Sequence, residues 1–490
     1  MAGAAAAQVP RRAASRLPSP PSFKRPDTPA TPNPAAARLQ ALGAMWTVLL
    51  GWSNGANDAA NSMGAAVGAG ALTLRQAVLT GAVAEVTGAS LLGVHVSKTI
   101  SKGVIRTDDY AANPSEFSFA MVAVLVGAAV TTIAATYYKL PISATHGIVG
   151  GLIGVGAMAH GWGSLGGPAI AKTVASWVIS PLLGGAVAFA LFLLVHRLVF
   201  RAGDPLKNSR RMQPFFTALT SFIVALFLML KGPEQVRFWK EGTYTAPLLI
   251  SLGLGGLGAG ATLLSARFAN GGDGGSDAED PLLAKGLPPG GYGSVPGGPP
   301  GEGGAGGGGG GEDEDEERLQ RSEQPFCLLL VLTSLSVAFA HGANDVANSA
   351  GPFAALLEGF HGAVRDEPDI PIWVVVAAGS CMSVGILTWG HKTIGTVSNK
   401  ITALSPSKAF AVQLGAAVSV LTSSVVEMPV STSHCLVGAV IGVGFAERVL
   451  GKGNNIDWGV LSRIAISWAV TIPAAMAIAC AVFAAGRPFV

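Results

Sequence analysis

The sequence predicts an all-α polytopic membrane protein of about 10 to 12 transmembrane helices, built from inverted repeats with broken helices. Three observations carry that expectation. Half of the 490 residues are hydrophobic and only 12% are charged, against roughly a quarter charged in soluble domains. Twelve apolar stretches approach the ~20 residues needed to cross about 30 Å of hydrocarbon. The third observation is a duplication: GANDAANSMG at 55–64 returns as GANDVANSAG at 342–351, each time inside an apolar stretch. Amide and carboxylate side chains at such depth are expensive, and they mark ion or solute paths. These features exclude a soluble protein.

The elements follow in order. Residues 1–40 hold Arg11, Arg12, Arg16, Lys24, Arg25 and Arg38 against the single acid Asp27, and read as a disordered leader or a transit peptide. The first half, 41–265, contains apolar spans at 42–60, 76–96, 117–138, 142–160, 172–196, 213–230 and 245–265. Between two of them lie Arg197, Arg201, Lys207, Arg210 and Arg211, with Asp204 as the only acid. Such a basic loop is expected in the cytoplasm. Two spans later, and so on the same side, residues 266–324 are rich in Gly and Pro and include GGAGGGGGGEDEDEE. That composition predicts a disordered loop, with Ser265, Ser276, Ser294 and Ser322 as candidate modification sites. The second half, 325–490, has spans at 325–349, 371–390, 408–426, 430–449 and 461–485. Segments opening at Pro141 and Pro429 can be read either as full spans or as re-entrant hairpins. Cys327, Cys381, Cys435 and Cys480 lie singly, without a CxxC spacing, and are expected to act as small hydrophobes.

The two halves are copies of one another. Asp58 and Asp345 are separated by 287 residues; LPISATHGIVGGLIGVG from Leu140 and MPVSTSHCLVGAVIGVG from Met428 are separated by 288. A looser pair joins EVTGASLLGVHVSKTI from Glu85 to MSVGILTWGHKTIGTV from Met382. Seven spans before the second copy would give it the opposite orientation, the inverted-repeat plan of many secondary transporters, whereas a count different by one would make the repeats parallel.

The repeated residues suit an ion site and an oxyanion site. Gly55–Ala56 and Gly342–Ala343 would let a helix unwind, and the Asn and Asp that follow would cap the half-helix that restarts. Free N–H groups at a half-helix start favour an oxyanion, and freed carbonyls favour a cation. Asp58 and Asp345 are then candidate ligands for sodium or a proton, with the amides of Asn57, Asn61, Asn344 and Asn348 as hydrogen-bond partners. Pro141 and Pro429 would break a second helix, beside hydroxyls from Ser143, Thr145, Ser431, Thr432 and Ser433. His146 and His434 are paired by the repeat. Glu85 has no acidic counterpart, since Met382 stands opposite it, and should bind a coupling cation, pair with Lys or Arg, or stay protonated.

GANDxAN twice, each followed by P-[IV]-S-x-[TS]-H, resembles the inorganic phosphate transporter (PiT) family over about residues 42–487, the 266–324 loop excepted. The resemblance implies a symporter of inorganic phosphate coupled to sodium or protons, with no further cofactor. It places phosphate between two broken helices and cations near Asn57, Asp58, Asn344 and Asp345. Gln413 departs from the family, where many eukaryotic relatives carry an acid. A sulfate permease is the alternative. No HExxH spacing or nucleophile motif points to an enzyme, and nothing points to nucleic acid. Besides phosphate, the cation and lipid, a homodimer is compatible with the sequence. The membrane is expected to be the plasma membrane or the plastid inner envelope.

Overall fold

The computed structural model describes residues 34–489, apart from 102, 233–238, 240–242, 271–309, 363, 366–367, 399–403 and 452–455. The body of the proposed leader and most of the central loop lie outside the described residues. The chain forms helices α1 (Pro34–Gly68), α2 (Leu74–Ser101), α3 (Pro114–Tyr137), α4 (Ala144–His160), α5 (Gly167–Val195), α6 (Pro205–Lys231) and α7 (Thr245–Asn270). Then come α8 (Gly310–Glu323), α9 (Phe326–Asp345), α10 (Ala347–Phe360), α11 (Ile372–Gly385), α12 (His391–Ser398), α13 (Pro406–Val425), α14 (Thr432–Val449) and α15 (Trp458–Gly486). Among the described residues there is no strand, and nine helices are long and apolar enough to cross a membrane.

Each repeat has the same plan. A motif helix (α1, or α9 continued by α10) is followed by a partner helix (α2, or α11 and α12), a helical hairpin (α3–α4, or α13–α14) and a long closing helix (α5, or α15). Helices α6 and α7 stand between the repeats. The hairpins turn at 138–143 and 426–431, where proline cannot continue a helix. Whether each hairpin crosses twice or turns back, an odd number of crossings separates the starts of α1 and α9. The repeats are therefore inverted.

Glycine sets how closely the repeats meet. Gly55 of α1 lies on the carbonyl of Met382, and Gly385 of α11 lies on that of Trp52. The inverted copy of this contact places Gly342 of α9 on the carbonyl of Glu85, and Gly88 of α2 on that of Phe339. A Cβ at any of the four would overlap main-chain atoms, so only glycine allows these backbones to touch. The same pairing aligns Glu85 with Met382 in three dimensions, as the looser sequence match expected. The closing helices are exchanged: α5 packs on α13 and α14 of the other repeat, and α15 packs on α3 and α4.

Three expectations are corrected. The GAND segment does not unwind in the first repeat, because α1 runs unbroken through it, and the second is interrupted only at Val346, whose φ −56° and ψ −29° remain right-handed. The motif glycines serve close approach, and the half-helix starts come from the hairpins. Residues 310–323, expected to be disordered, form α8; Glu, Leu, Gln and Arg are good helix formers, acids favour a helix start, and Arg321 pairs with Glu317 at 2.7 Å. Ser322 is buried, with its hydroxyl bonded to Leu319 O, which removes it as an accessible modification site.

Replacing Gly342 by Ala should destabilise the protein by about 1–3 kcal/mol, the usual cost of overpacking. Gly256→Ala on α7, where an added Cβ meets nothing within 4 Å, should be neutral or mildly stabilising. The thermal midpoint of the detergent-solubilised variants checks both, and an unchanged Gly342→Ala midpoint would contradict the close contact.

Candidate ion and anion site

The two motif helices bring their aspartates to a common centre. Asp58 of α1 is buried, and its Oδ1 accepts from Asn61 Nδ2 at 2.9 Å, one helical turn on. The spacing of three residues puts both side chains on one face of the helix. In α9 and α10 the same spacing lets Asn348 Nδ2 donate to Asp345 Oδ2 at 3.4 Å. Between the carboxylates stands His341, which the sequence reading did not single out. Its Nε2 lies 3.0 Å from Asp58 Oδ2 and 3.4 Å from Asp345 Oδ2, and its Nδ1 lies 2.6 Å from Glu85 Oε1. All four residues are buried. An imidazole facing carboxylates through both nitrogens can donate to both only as the imidazolium. One ligand atom each from Asp58, His341 and Asp345 lie within 4.8 Å of one another, so this group could hold a cation.

The arrangement is asymmetric. By the repeat, His341 corresponds to Asn54 and Glu85 to Met382. Asn54 donates to Asp345 O at 3.3 Å, and its own oxygen has no partner among the described residues. Glu85 thus meets a histidine, where the sequence had suggested a lysine or an arginine. The available signal was local: the second copy of the motif is preceded by Ala-His and the first by Ser-Asn.

The hairpin tips close over this centre. Asn57 Nδ2 donates to Leu140 O and Thr136 Oγ1, both at 3.1 Å, while its Oδ1 accepts from Ile142 N at 3.3 Å. Asn344 does the same at the other tip: with its amide assigned to satisfy all neighbours, the nitrogen donates to Val430 O at 3.1 Å and the oxygen accepts from Ser424 at 3.2 Å. These amides fasten the tips. The tips also hold one another, since Thr145 Oγ1 donates to Val430 O at 3.2 Å and Ser433 Oγ to Ile142 O at 3.2 Å. Ser433 accepts from Asn61, and Thr432 Oγ1 donates to Asp58 Oδ2 at 3.4 Å.

The N-termini of α4 and α14 therefore converge beside the carboxylates. Ser143 caps α4 by accepting from His146 N at 3.3 Å. Its counterpart Ser431 makes no capping bond, and its buried hydroxyl has no partner among the described residues. Two helix starts with free N–H groups and a free hydroxyl form an anion-binding geometry. His146 and His434 follow one turn on. Their rings meet edge to face at 4.7 Å, and they donate from Nδ1 to Trp468 O (3.4 Å) and Trp177 O (3.3 Å), so they tie the hairpins to the closing helices. Gln413 is buried and donates to Ser62 O at 2.9 Å and Asn61 O at 3.3 Å. It supports α1 just past Asp58.

The chain matches known proteins along most of its length. The model of the phosphate transporter family covers residues 54–479. A Pyrococcus furiosus protein named provisionally as a phosphate permease is 34% identical over 447 residues, 90% of this chain and 95% of the relative. Inorganic phosphate transporter 2-1, chloroplastic, of Arabidopsis thaliana is 33% identical over 438 residues, 86% of this chain and 68% of the relative. A solved structure entitled "The sodium-dependent phosphate transporter" superposes with a TM-score of 0.77 at 31% identity, covering 92% of this chain and all of that one.

Removing His341 leaves three carboxylates buried without a countercharge, and breaking a buried ion pair from one side costs about 3–5 kcal/mol. His341→Asn should therefore lower the thermal midpoint strongly. Adding Glu85→Met, which copies the Asn54 and Met382 arrangement of the other repeat, should recover much of the loss. A double variant no more stable than His341→Asn alone would show that charge balance is not what His341 supplies.

Proposed function

The chain belongs to the phosphate transporter family and carries inorganic phosphate across a membrane, and we propose that sodium bound between Asp58 and Asp345 drives this movement. One observation carries the reading: three buried carboxylates face a single imidazole. Even with His341 charged, the cluster is short of positive charge, and uncompensated charge in a low-dielectric centre is costly. A bound cation supplies the balance. Carboxylate and amide oxygens are hard donors of the kind that suit sodium, potassium or alkaline-earth ions over soft metals. The solved relative is entitled sodium-dependent, which favours sodium among them.

Phosphate, in this reading, sits between the starts of α4 and α14. Backbone N–H groups, the hydroxyl of Ser431 and the neighbouring hydroxyls of Ser143, Thr145, Thr432 and Ser433 surround that place. Asn57 and Asn344 act on it indirectly by holding the tips that form it. The cation and the anion then occupy adjacent positions joined by Thr432, which donates to Asp58. Each bound charge lowers the cost of burying the other, and that mutual stabilisation couples the two fluxes.

Uptake of labelled phosphate by proteoliposomes with an imposed sodium gradient or an imposed pH gradient tests the coupling. Sodium should drive uptake, and Asp58→Asn and Asp345→Asn should each abolish sodium-driven uptake at normal protein abundance. Uptake driven by the pH gradient alone would replace sodium with the proton.

Selectivity follows from protons on the anion. At neutral pH, phosphate and arsenate keep a proton and can donate to a hydroxyl or carboxylate oxygen, whereas sulfate only accepts. An acceptor left unpaired by sulfate costs about 1–3 kcal/mol, roughly tenfold to a hundredfold per contact. Arsenate should compete well and sulfate poorly; equal inhibition by both would mean that the site reads charge alone.

A further inference from the structure

The hairpin tips carry charge at a position where glycine is expected. Helix α3 ends with Lys139 N bonded to Thr136 O and Leu140 N to Ala135 O, and α13 ends with Glu427 N bonded to Ser424 O and Met428 N to Ser423 O. This is one helix-ending motif used twice, and it requires a left-handed residue, most often glycine. Here that residue is Lys139 (φ 58°) in the first tip and Glu427 (φ 55°) in the second. They occupy matching repeat positions and are the only non-glycine residues of positive φ among those described. Each accepts a strained backbone of order 1 kcal/mol, and each places a charged side chain at a tip that closes over the substrate site.

The two charges have different surroundings. Glu427 Oε1 accepts from Lys231 Nζ at 2.9 Å, and Lys231 lies in the last turn of α6, outside the repeats. Lys139 is exposed beside Tyr137, Tyr138 and Leu140, and no carboxylate pairs with it among the described residues. Its ammonium is open to an anion that approaches this tip. The tips also point to opposite sides. Helix α6 starts within the basic 197–211 segment and ends at Lys231, which pairs with Glu427, so the second tip faces away from the basic loop. The inverted first tip faces toward it.

We propose that Lys139 and Lys231 are the cations that draw phosphate into the two mouths of the path. Glu427 masks Lys231 while its tip is closed and uncovers it when the tip swings away. Each mouth then presents one lysine to the incoming anion, although the two lysines come from unrelated parts of the sequence. The inference rests on phosphate as the cargo and is independent of the coupling ion.

Sidedness-resolved phosphate flux in proteoliposomes tests it, with ionic strength varied at constant sodium. Lys139→Gln should raise the half-saturating phosphate concentration about threefold to tenfold on the basic-loop side, the size expected of one unit charge acting on a mono- or dianion through water. The effect should exceed any fall in maximal rate, fade at high salt, and disappear in Lys139→Arg. Lys231→Gln should give the same shift on the opposite side only. Glu427→Gln should lower the half-saturating concentration there, by unmasking Lys231. Equal shifts on both sides, or none, would overturn the proposal. Loss of a sodium response with the sided shifts intact would fail the coupling reading alone.

Discussion

Three carboxylates and one imidazole share the buried centre of this protein, and the rest of the fold is arranged to make that tolerable. Asp58, Glu85, His341 and Asp345 come from α1, α2 and α9, which belong to both repeats. Helices that carry such groups must approach within hydrogen-bond distance, and backbone contact at Gly55, Gly88, Gly342 and Gly385 provides the approach. A methyl group at any of them would push the carboxylates apart. The polar centre and the small residues around it are thus one design constraint, expressed once as charge and once as volume.

Much of this was legible in the sequence. The twofold GAND motif, the proline motif and their near-equal separations pointed to the repeat structure and its inverted orientation, and they marked Asp58, Asp345 and the neighbouring asparagines that the structure brings to one centre. Periodicity and motif spacing could not reveal whether glycine in GAND breaks a helix or brings two together. Both uses need a residue without a side chain, and only the neighbouring backbone distinguishes them. His341 escaped because it stands one residue outside the repeated motif and has a different residue, Asn54, as its counterpart. Glu85 was correctly marked as the unpaired acid, but a partner distant in sequence can be named only when the helices are placed. Ser431 and Ser143 looked equivalent in the motif, and the structure separates them: one caps its helix and the other keeps a free hydroxyl.

The pseudo-symmetry matters as much where it fails as where it holds. A perfectly duplicated centre would offer two identical cation positions. Substituting His341 and Glu85 for Asn54 and Met382 supplies an imidazole and a third acid on one side only. The hairpins follow the same rule: one backbone geometry is kept at both tips, and the side chains on it differ. Backbone shape is kept between the halves, while the side chains at the centre diverge.

The exchange of closing helices has a consequence for how the chain is made. Helix α3 and helix α4 find their packing partner in α15, at the far end of the second repeat, while α5 waits for α13 and α14. Contacts this distant in sequence form late. The amino-terminal half therefore enters the bilayer with its polar hairpin uncovered and must remain in that unfinished state until α15 has been made. Truncation within α15 would harm the first repeat, not the second, and the two halves expressed as separate polypeptides would have to find each other before either could settle.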